Sequence, residues 1–325
     1  MSAVPKLSPL RMLADYGQSV WLDYIRRSLL TEGGLQQLIN HDGLTGLTSN
    51  PAIFQKAIAG SSDYAPALEE LANERGLEPQ GVYERLAIQD IKLAAGLMTP
   101  VYQATRQRDG YVSLEVSPHL ANDTEGTMAE ARRLWAAVDR PNLMVKVPAT
   151  PAGIPAIEAL IGAGINVNAT LLFAREAYRQ VAEAYMRGLE RLADAGGDLG
   201  GIGSVASFFV SRVDTAVDEW LDTDAAARRT GLVPSVQGKV AVANAKLAYQ
   251  DYRELLRSDR WAHLAARGAR PQRLLWASTS AKNPSYRDVL YVEELIGPEV
   301  RSFRYREETD RPGTELGWHG ANFDD

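Results

Sequence analysis

The feature that most constrains the fold is a repeated alternation of short apolar runs with long stretches of helical periodicity. Seven of the runs are predicted as strands: Val20–Tyr24, Gly43–Ser49, Tyr111–Val116, Leu143–Val147, Ile165–Leu172, Val205–Val210 and Leu274–Ser278. Alternating strands and helices form parallel sheets through right-handed crossovers. Because no break in composition separates the strands, the pattern favours one α/β unit, a (β/α)8 TIM barrel, over a doubly wound open sheet.

The end of the chain leaves open which segment supplies the eighth strand. After Gly297 the sequence is polar, rich in arginine and glutamate, and interrupted by proline and glycine. Glu299–Tyr305 is predicted to be a poor strand because its polar residues do not suit burial on both faces. We therefore expect a barrel domain over residues 1–297 and a divergent, poorly ordered tail over residues 298–325.

Composition narrows the classes of function. No apolar run approaches the roughly 18 residues of a membrane span, and the first residues lack the basic-then-apolar order of a signal peptide. The sequence has no cysteine, four histidines and a net charge of −6. These counts argue against a disulfide scaffold, a zinc or copper site and general nucleic-acid binding. We expect a cytoplasmic protein that uses no metal.

Polar residues lie near the carboxyl end of every predicted strand. In a parallel barrel these ends converge on one face, where barrel enzymes carry out their chemistry. Each residue alone also has a structural explanation, such as capping a helix or forming a turn, but their shared position favours a common pocket. The residues predicted to line this pocket are Asp23, Asn50, Glu115, Lys146, Asn168, Thr170, Ser207, Arg212, Ser278 and Lys282.

Lys146 is the most informative of these residues because it interrupts the buried strand LMVKV. Burying an unpaired ammonium is unfavourable by several kcal/mol, and desolvation favours the neutral amine. A lysine that packs its stem and extends its amine to water is the structural alternative. Since Asp23 and Glu115 are expected at the same mouth, the residues favour a Schiff-base nucleophile served by carboxylates that move protons.

Six segments of the chain resemble the transaldolase family in its longer bacterial form. They are LTSNPAIF, SLEVSPHLANDTEGT, MVKVPATPAGIPAI, INVNATLLF, VASFFVSRVDT and WASTSAKNPSYRDVLYVEELIG. The likeness covers residues 10–297 in unbroken order. It implies a (β/α)8 barrel and a cofactor-free transferase of the non-oxidative pentose phosphate pathway. Such an enzyme moves a dihydroxyacetone unit from sedoheptulose 7-phosphate to glyceraldehyde 3-phosphate, giving erythrose 4-phosphate and fructose 6-phosphate.

The resemblance also implies roles for the site residues. Lys146 would form the Schiff base, and Asp23 would take the proton from the donor hydroxyl. Glu115 would act as an acid and base through a water that Thr170 positions. The remaining residues would bind sugar phosphate: Asn50, Asn168 and Ser207 at the dihydroxyacetone unit, and Arg212, Ser278 and Lys282 at the phosphate. The resemblance is compatible with a monomer or a homodimer.

The sequence departs from the family after residue 297. The family continues with a strand close to TVNTMP, whereas this chain reads EVRSFRYREETDRPG. The predicted catalytic set is intact, but the departure leaves open whether the barrel closes. The sequence is therefore compatible with three functions: an active transaldolase, an aldolase that releases dihydroxyacetone from fructose 6-phosphate, and a sugar-phosphate-binding barrel with impaired catalysis.

Overall fold

The computed structural model describes residues 8–304 except 73, 75–77, 225–228, 230 and 232. Eight parallel strands form a closed barrel in the order of the chain. They are β1 (Ser19–Asp23), β2 (Leu44–Thr48), β3 (Tyr111–Glu115), β4 (Leu143–Pro148), β5 (Val167–Leu172), β6 (Ser204–Phe209), β7 (Arg273–Ala277) and β8 (Arg301–Arg304). The predicted (β/α)8 barrel is confirmed, and the doubly wound open sheet is excluded because β8 pairs with both β7 and β1.

Helices connect the strands and surround the barrel. Those in the described ranges are α1 (Pro9–Met12), α2 (Arg27–Thr31), α3 (Gly34–Asp42), α4 (Pro51–Ala59), α5 (Ala65–Ala72), α6 (Pro79–Ala104), α7 (Thr124–Val138), α8 (Gly153–Gly162), α9 (Arg175–Asp194), α10 (Ser211–Thr223), α11 (Val233–Val236), α12 (Val240–Leu256), α13 (Asp259–Ala266) and α14 (Leu290–Glu294). Short 3-10 helices span Ser62–Tyr64 and Pro118–Leu120. Within these ranges, no helix combines the length and the apolar character needed to cross a membrane.

The strands divide the apolar core into two layers through their two-residue alternation. Outward-facing residues such as Val145 and Val147 pack in the layer between the barrel and its helices. Inward-facing residues such as Trp21 and Met144 fill the middle of the barrel. Gly46 makes room for the indole, because a methyl group at this position would lie 2.2 Å from the Trp21 ring. The apolar middle therefore separates the two ends of the barrel.

The seven strands predicted from the sequence are confirmed, and the largest shift of a boundary is the two residues from Ile165 to Val167. The prediction for the eighth strand is wrong, because β8 lies within Glu299–Tyr305. Its polar residues find buried partners: Arg301 Nε donates to Asp109 Oδ1 at 3.0 Å, and Gln18 Nε2 donates to Ser302 Oγ at 2.6 Å. A polar strand is thus compatible with burial. Residues 305–325 of the predicted tail lie outside the described residues.

A buried ionic cluster closes the amino-terminal end of the barrel, and we call Asp109, Arg273 and Arg301 the base cluster. The Arg273 guanidinium donates to Asp109 at 3.3 Å and to Ser19 Oγ at 2.8 Å. Arg301 lies over the Trp21 ring, 4.8 Å from its centroid. Burial alone would raise the pKa of Asp109, but the charges of Arg301 and Arg273 outweigh burial and lower it. Burial, followed by the charge of Arg301, lowers the pKa of Arg273 to about 10.

Candidate active site

The carboxyl-terminal end of the barrel carries a second buried ionic group, and we call Asp23, Glu115 and Lys146 the mouth cluster. Val145 and Val147 face outward, so the alternation of β4 directs Lys146 into the barrel. Only 5% of Lys146 is exposed. Its Nζ lies 3.0 Å from Glu115 Oε2 and donates to the backbone oxygen of Ser49 at 3.3 Å. The buried lysine therefore has a carboxylate within reach of proton transfer.

The register of the sheet places this ion pair beside the predicted amide ligand. Glu115 is the cross-strand partner of Lys146, and Lys146 is the cross-strand partner of Asn168. Ser207 Oγ donates to Asn168 Oδ1 at 2.7 Å, and Asn168 Nδ2 donates to Ser113 Oγ at 3.0 Å. Because both ends of the amide are bonded, its orientation at the level of the lysine is fixed.

Asp23 and Thr170 present buried oxygens to the same mouth. Asp23 Oδ1 and Thr170 Oγ1 have no hydrogen-bond partner among the described residues. Burial raises the pKa of Asp23; the charge of Lys146 opposes this shift, and Glu115 adds to it. Buried polar oxygens normally have partners. These two are therefore available to a substrate or a water.

Asn50 has a structural role as well as its predicted one. Its Oδ1 accepts a hydrogen bond from the backbone N–H of Ile53 at 3.0 Å and so caps the start of α4. Capping fixes the side chain next to Ser49, whose backbone oxygen accepts from Lys146. The cap uses the amide oxygen of Asn50, and its amide nitrogen can only donate.

The predicted phosphate ligands lie on the rim of the mouth, on α10 and on the segment after β7. Arg212, in the first turn of α10, is exposed and lies over the Phe209 ring at 5.6 Å. Ser278 has a left-handed φ of 54°, and its Oγ lies 2.9 Å from Ser211 Oγ. Lys282 Nζ donates to Ser280 Oγ at 2.7 Å. Because Arg212 and Lys282 both oppose the rise in the pKa of Asp23, their charges act on the mouth.

Three residues that organise the site were not predicted from the sequence: Ser113, Ser211 and Leu171. Ser113 holds Asn168 and lies two residues before Glu115, so the alternation of YVSLEV is a signal that could have identified it. Ser211 is fully buried, and its backbone N–H donates to the Ser278 oxygen at 2.9 Å; nothing in its local sequence marks this role. Leu171 has a φ of 62° where the register of β5 shifts. This bulge ends the inward-facing run at Thr170.

The arrangement offers nucleophilic and acid–base chemistry from protein side chains. A buried amine, two carboxyl groups and an oriented amide converge, with cations at the rim. Among the residues that the structure describes, no group of three or more histidine, cysteine, aspartate or glutamate side chains is arranged to hold a metal ion. Imine formation with a carbonyl compound needs an amine and a proton donor, and the mouth supplies both.

Comparison with known proteins identifies relatives along most of the chain. Residues 20–301 match the sequence profile of the family described as transaldolase/fructose-6-phosphate aldolase. A transaldolase of Thiobacillus denitrificans is 54% identical over 284 residues, which is 87% of this chain and 78% of that protein. A transaldolase of Thermobifida fusca is 52% identical over 90% of this chain and 78% of its own length. A transaldolase of Trichodesmium erythraeum is 48% identical over 88% of this chain and 76% of its own.

Proposed function

The chain belongs to the transaldolase/fructose-6-phosphate aldolase family, and we propose that it is a transaldolase acting through a Schiff base on Lys146. The observation that carries the proposal is the buried amine of Lys146, 3.0 Å from Glu115 in the mouth of the barrel. The donor is sedoheptulose 7-phosphate and the acceptor is glyceraldehyde 3-phosphate. The reaction belongs to the non-oxidative pentose phosphate pathway.

The first step joins Lys146 to the donor. The neutral amine attacks the ketone carbon C2, and the oxygen of the resulting carbinolamine leaves as water after receiving a proton. Glu115 supplies this proton through a water held by Thr170, whose buried Oγ1 has no partner among the described residues. The ion pair at 3.0 Å lets Glu115 exchange a proton with the amine as well.

The second step breaks the C3–C4 bond of the donor. Asp23 accepts the proton of the C4 hydroxyl, erythrose 4-phosphate leaves, and the three-carbon unit stays on Lys146 as an enamine. The raised pKa of Asp23 suits a group that must take up a proton and later return it. The enamine then attacks the aldehyde of glyceraldehyde 3-phosphate, Asp23 protonates the new alkoxide, and hydrolysis releases fructose 6-phosphate.

The surrounding polar groups hold the fragment between the two half-reactions. Asn168, fixed by Ser207 and Ser113, is placed beside the lysine to bind the hydroxyls of the three-carbon unit. Asn50 lies next to Ser49, which contacts the same amine. Together these contacts keep water from hydrolysing the enamine before the acceptor arrives.

The rim recognises the phosphate of each sugar. Arg212 and Lys282 provide positive charge after the neighbouring strands β6 and β7, and Ser278 provides a hydroxyl fixed by Ser211. A dianionic phosphate is bound by cationic donors of this kind. Sugar phosphates are therefore the proposed substrates.

An assay of both half-reactions tests this function. Fructose 6-phosphate and erythrose 4-phosphate should give glyceraldehyde 3-phosphate, and fructose 6-phosphate alone should release little dihydroxyacetone. Cleavage that proceeds at the same rate without an acceptor would identify an aldolase. A folded chain that turns over neither mixture would overturn the proposal and leave only binding.

The cellular setting is also proposed. The composition without cysteine supports a cytoplasmic protein. Every residue of the proposed site comes from one chain, so a monomer would suffice and a homodimer would carry two independent sites. Light scattering coupled to gel filtration distinguishes these states. A specific activity that falls on dilution would instead indicate a site built from residues of two chains.

A further inference from the structure

Two buried aspartates on α10 link this helix to the segment that carries Lys282. Tyr291 donates its hydroxyl to Asp214 Oδ2 at 2.9 Å, and Tyr286 donates to Asp218 Oδ2 at 2.5 Å. Asp214 and Asp218 are 1% and 7% exposed and lie one helical turn apart. The two bonds therefore fasten residues 286–291 along one face of α10. We call these four residues the tyrosine latch.

The other oxygens of the same carboxylates bind the start of α12. The backbone N–H of Ala241 donates to Asp214 Oδ1 at 2.8 Å, and that of Gly238 donates to Asp218 Oδ1 at 3.2 Å. Gly238 has a left-handed φ of 68°, and a methyl group there would lie 2.8 Å from the Tyr286 ring. The ring of Tyr286 therefore packs against a position where only glycine leaves enough room. Each aspartate connects three segments: α10, the start of α12 and residues 286–291.

The latch lies beside the proposed phosphate ligands on both of its arms. Arg212 precedes Asp214 by two residues on α10, and Lys282 precedes Tyr286 by four residues on the other arm. Residues 278–289 contain no helix or strand. Because no helix or strand hydrogen bonds fix this segment, its position depends on side-chain contacts such as the bonds of Tyr286 and Tyr291 to the aspartates of α10.

The chemistry of the latch suits positioning. Among the described residues, neither Asp214 nor Asp218 forms an ion pair; the donors they bind are tyrosine hydroxyls and backbone N–H groups. Hydrogen bonds to an ionised carboxylate are short and directional, and they are stronger than those between neutral groups. A pair of such bonds one turn apart restrains both translation and rotation of the segment.

We propose that Tyr286 and Tyr291, held by Asp218 and Asp214, are positioning residues that set the distance between Lys282 and Arg212 for phosphate binding. This inference rests on the proposed function. It assigns the preference for phosphorylated acceptors to residues outside the mouth that do not touch the substrate. The latch contributes to KM for the phosphorylated acceptor and leaves the reaction at Lys146 unchanged.

Removal of one hydroxyl tests the proposal. Tyr286→Phe keeps the ring against Gly238 and removes the bond to Asp218. We expect KM for glyceraldehyde 3-phosphate to rise about tenfold, from the loss of a hydrogen bond to a charged group, with kcat nearly unchanged. The kcat/KM for unphosphorylated glyceraldehyde should stay as in the parent. In a ping-pong reaction, kcat/KM for the acceptor reports only the second half-reaction, so donor binding does not interfere.

A matched control separates positioning from general loss of stability. Tyr185 is also buried, and its hydroxyl donates to the Arg270 backbone oxygen at 2.7 Å, away from the latch. Tyr185→Phe should leave both acceptors unaffected. Tyr291→Phe should behave like Tyr286→Phe. If the phenylalanine variants fold poorly, Asp218→Asn is the alternative test, because it keeps one acceptor oxygen and removes the other.

Binding of inorganic phosphate makes the test independent of turnover. Titration followed by thermal shift should show an apparent Kd about tenfold weaker in Tyr286→Phe than in the parent and in Tyr185→Phe. If the parent transfers nothing but binds phosphate about tenfold more tightly than Tyr286→Phe, the proposed function fails while the positioning role of the latch is supported. Equal phosphate affinity in parent and Tyr286→Phe, or an equal loss with both acceptors, would overturn the latch.

Discussion

At the mouth of the barrel two carboxyl groups share one lysine, whereas at its base one carboxylate lies between two guanidinium groups. In the base cluster both oxygens of Asp109 are bonded. In the mouth cluster Asp23 Oδ1 has no partner among the described residues. The pKa values of the two aspartates shift in opposite directions, lowered for Asp109 and raised for Asp23. The fully paired carboxylate of Asp109 is suited to stabilising the fold, whereas the carboxyl group of Asp23, with one oxygen unpaired, is suited to exchanging a proton with a substrate.

The difference follows the direction of the strands. In TIM barrels the amino-terminal face contributes stability, and the carboxyl-terminal face carries the reaction. Here an aspartate lies near basic side chains at both ends of the barrel, and the apolar layer around Trp21 separates the two clusters. The charged neighbours distinguish the two aspartates: Asp109 forms ion pairs with two guanidinium groups, whereas Asp23 lies near one lysine and a second carboxyl group.

Replacement of the nucleophile gives the largest expected effect. Lys146→Arg keeps a positive charge next to Glu115 but cannot form an imine, so transfer should fall about 10⁴-fold or more. The melting temperature should stay within a few degrees of the parent because the ion pair is retained. A coupled transfer assay and a thermal melt check both statements. Activity comparable to the parent would contradict the mechanism.

Asp23→Asn removes a carboxyl group from the mouth and should separate activity from stability. We expect activity to drop by about 10²–10⁴-fold, the usual contribution of a general acid–base group. Stability should be unchanged or increased at neutral pH, because the ionised carboxylate is desolvated and lacks one partner. Chemical denaturation beside the transfer assay checks this. A large loss of stability would show that Asp23, like Asp109, stabilises the fold.

Asp109→Asn makes the same chemical change at the base and should have the opposite outcome. It leaves the buried guanidinium groups of Arg273 and Arg301 without a counter-charge, which should reduce the free energy of unfolding by about 3–5 kcal/mol. The folded fraction should keep its kcat, since the base lies across the barrel from the mouth. Glu294→Gln, at the exposed pair with Lys246, is the control and should change stability by less than about 1 kcal/mol. A loss of stability in Asp109→Asn no larger than that in Glu294→Gln would contradict the structural role of the base cluster.

The pH dependence of stability should distinguish the two aspartates most finely. Asp109 has a lowered pKa in the folded state, so its stabilisation is present above the ordinary value of 3.8 and is lost as pH falls through the folded pKa. Asp23 has a raised pKa, so it favours the folded state below the ordinary value and loses this contribution as pH rises through the folded pKa. The stability difference between the parent and Asp109→Asn should therefore shrink in acid. As pH rises above 3.8, the parent should instead lose stability relative to Asp23→Asn. Denaturation curves of the parent and both variants, recorded from acidic to neutral pH, provide the measurement. If the stability differences of the two variants depended on pH in the same way, the assignment of the two aspartates would be contradicted.

The same comparison explains what the sequence could and could not predict. The seven first strands and the mouth cluster follow from apolar runs and from their two-residue alternation, which are local patterns. The eighth strand does not, because the partner that makes Arg301 acceptable in a buried strand is Asp109, 192 residues earlier in the chain. Ser211 was missed for the same reason, since its contact with Ser278 spans 67 residues. Polar residues whose partners are distant in sequence are the ones that local reasoning misplaces.

Reductive trapping tests most directly whether Lys146 forms the covalent intermediate. Borohydride added to the enzyme with fructose 6-phosphate, followed by peptide mass mapping, should find a three-carbon adduct on Lys146. The other six of the seven lysines serve as internal controls. An adduct on any of those lysines, or none in a preparation that catalyses transfer, would contradict the account.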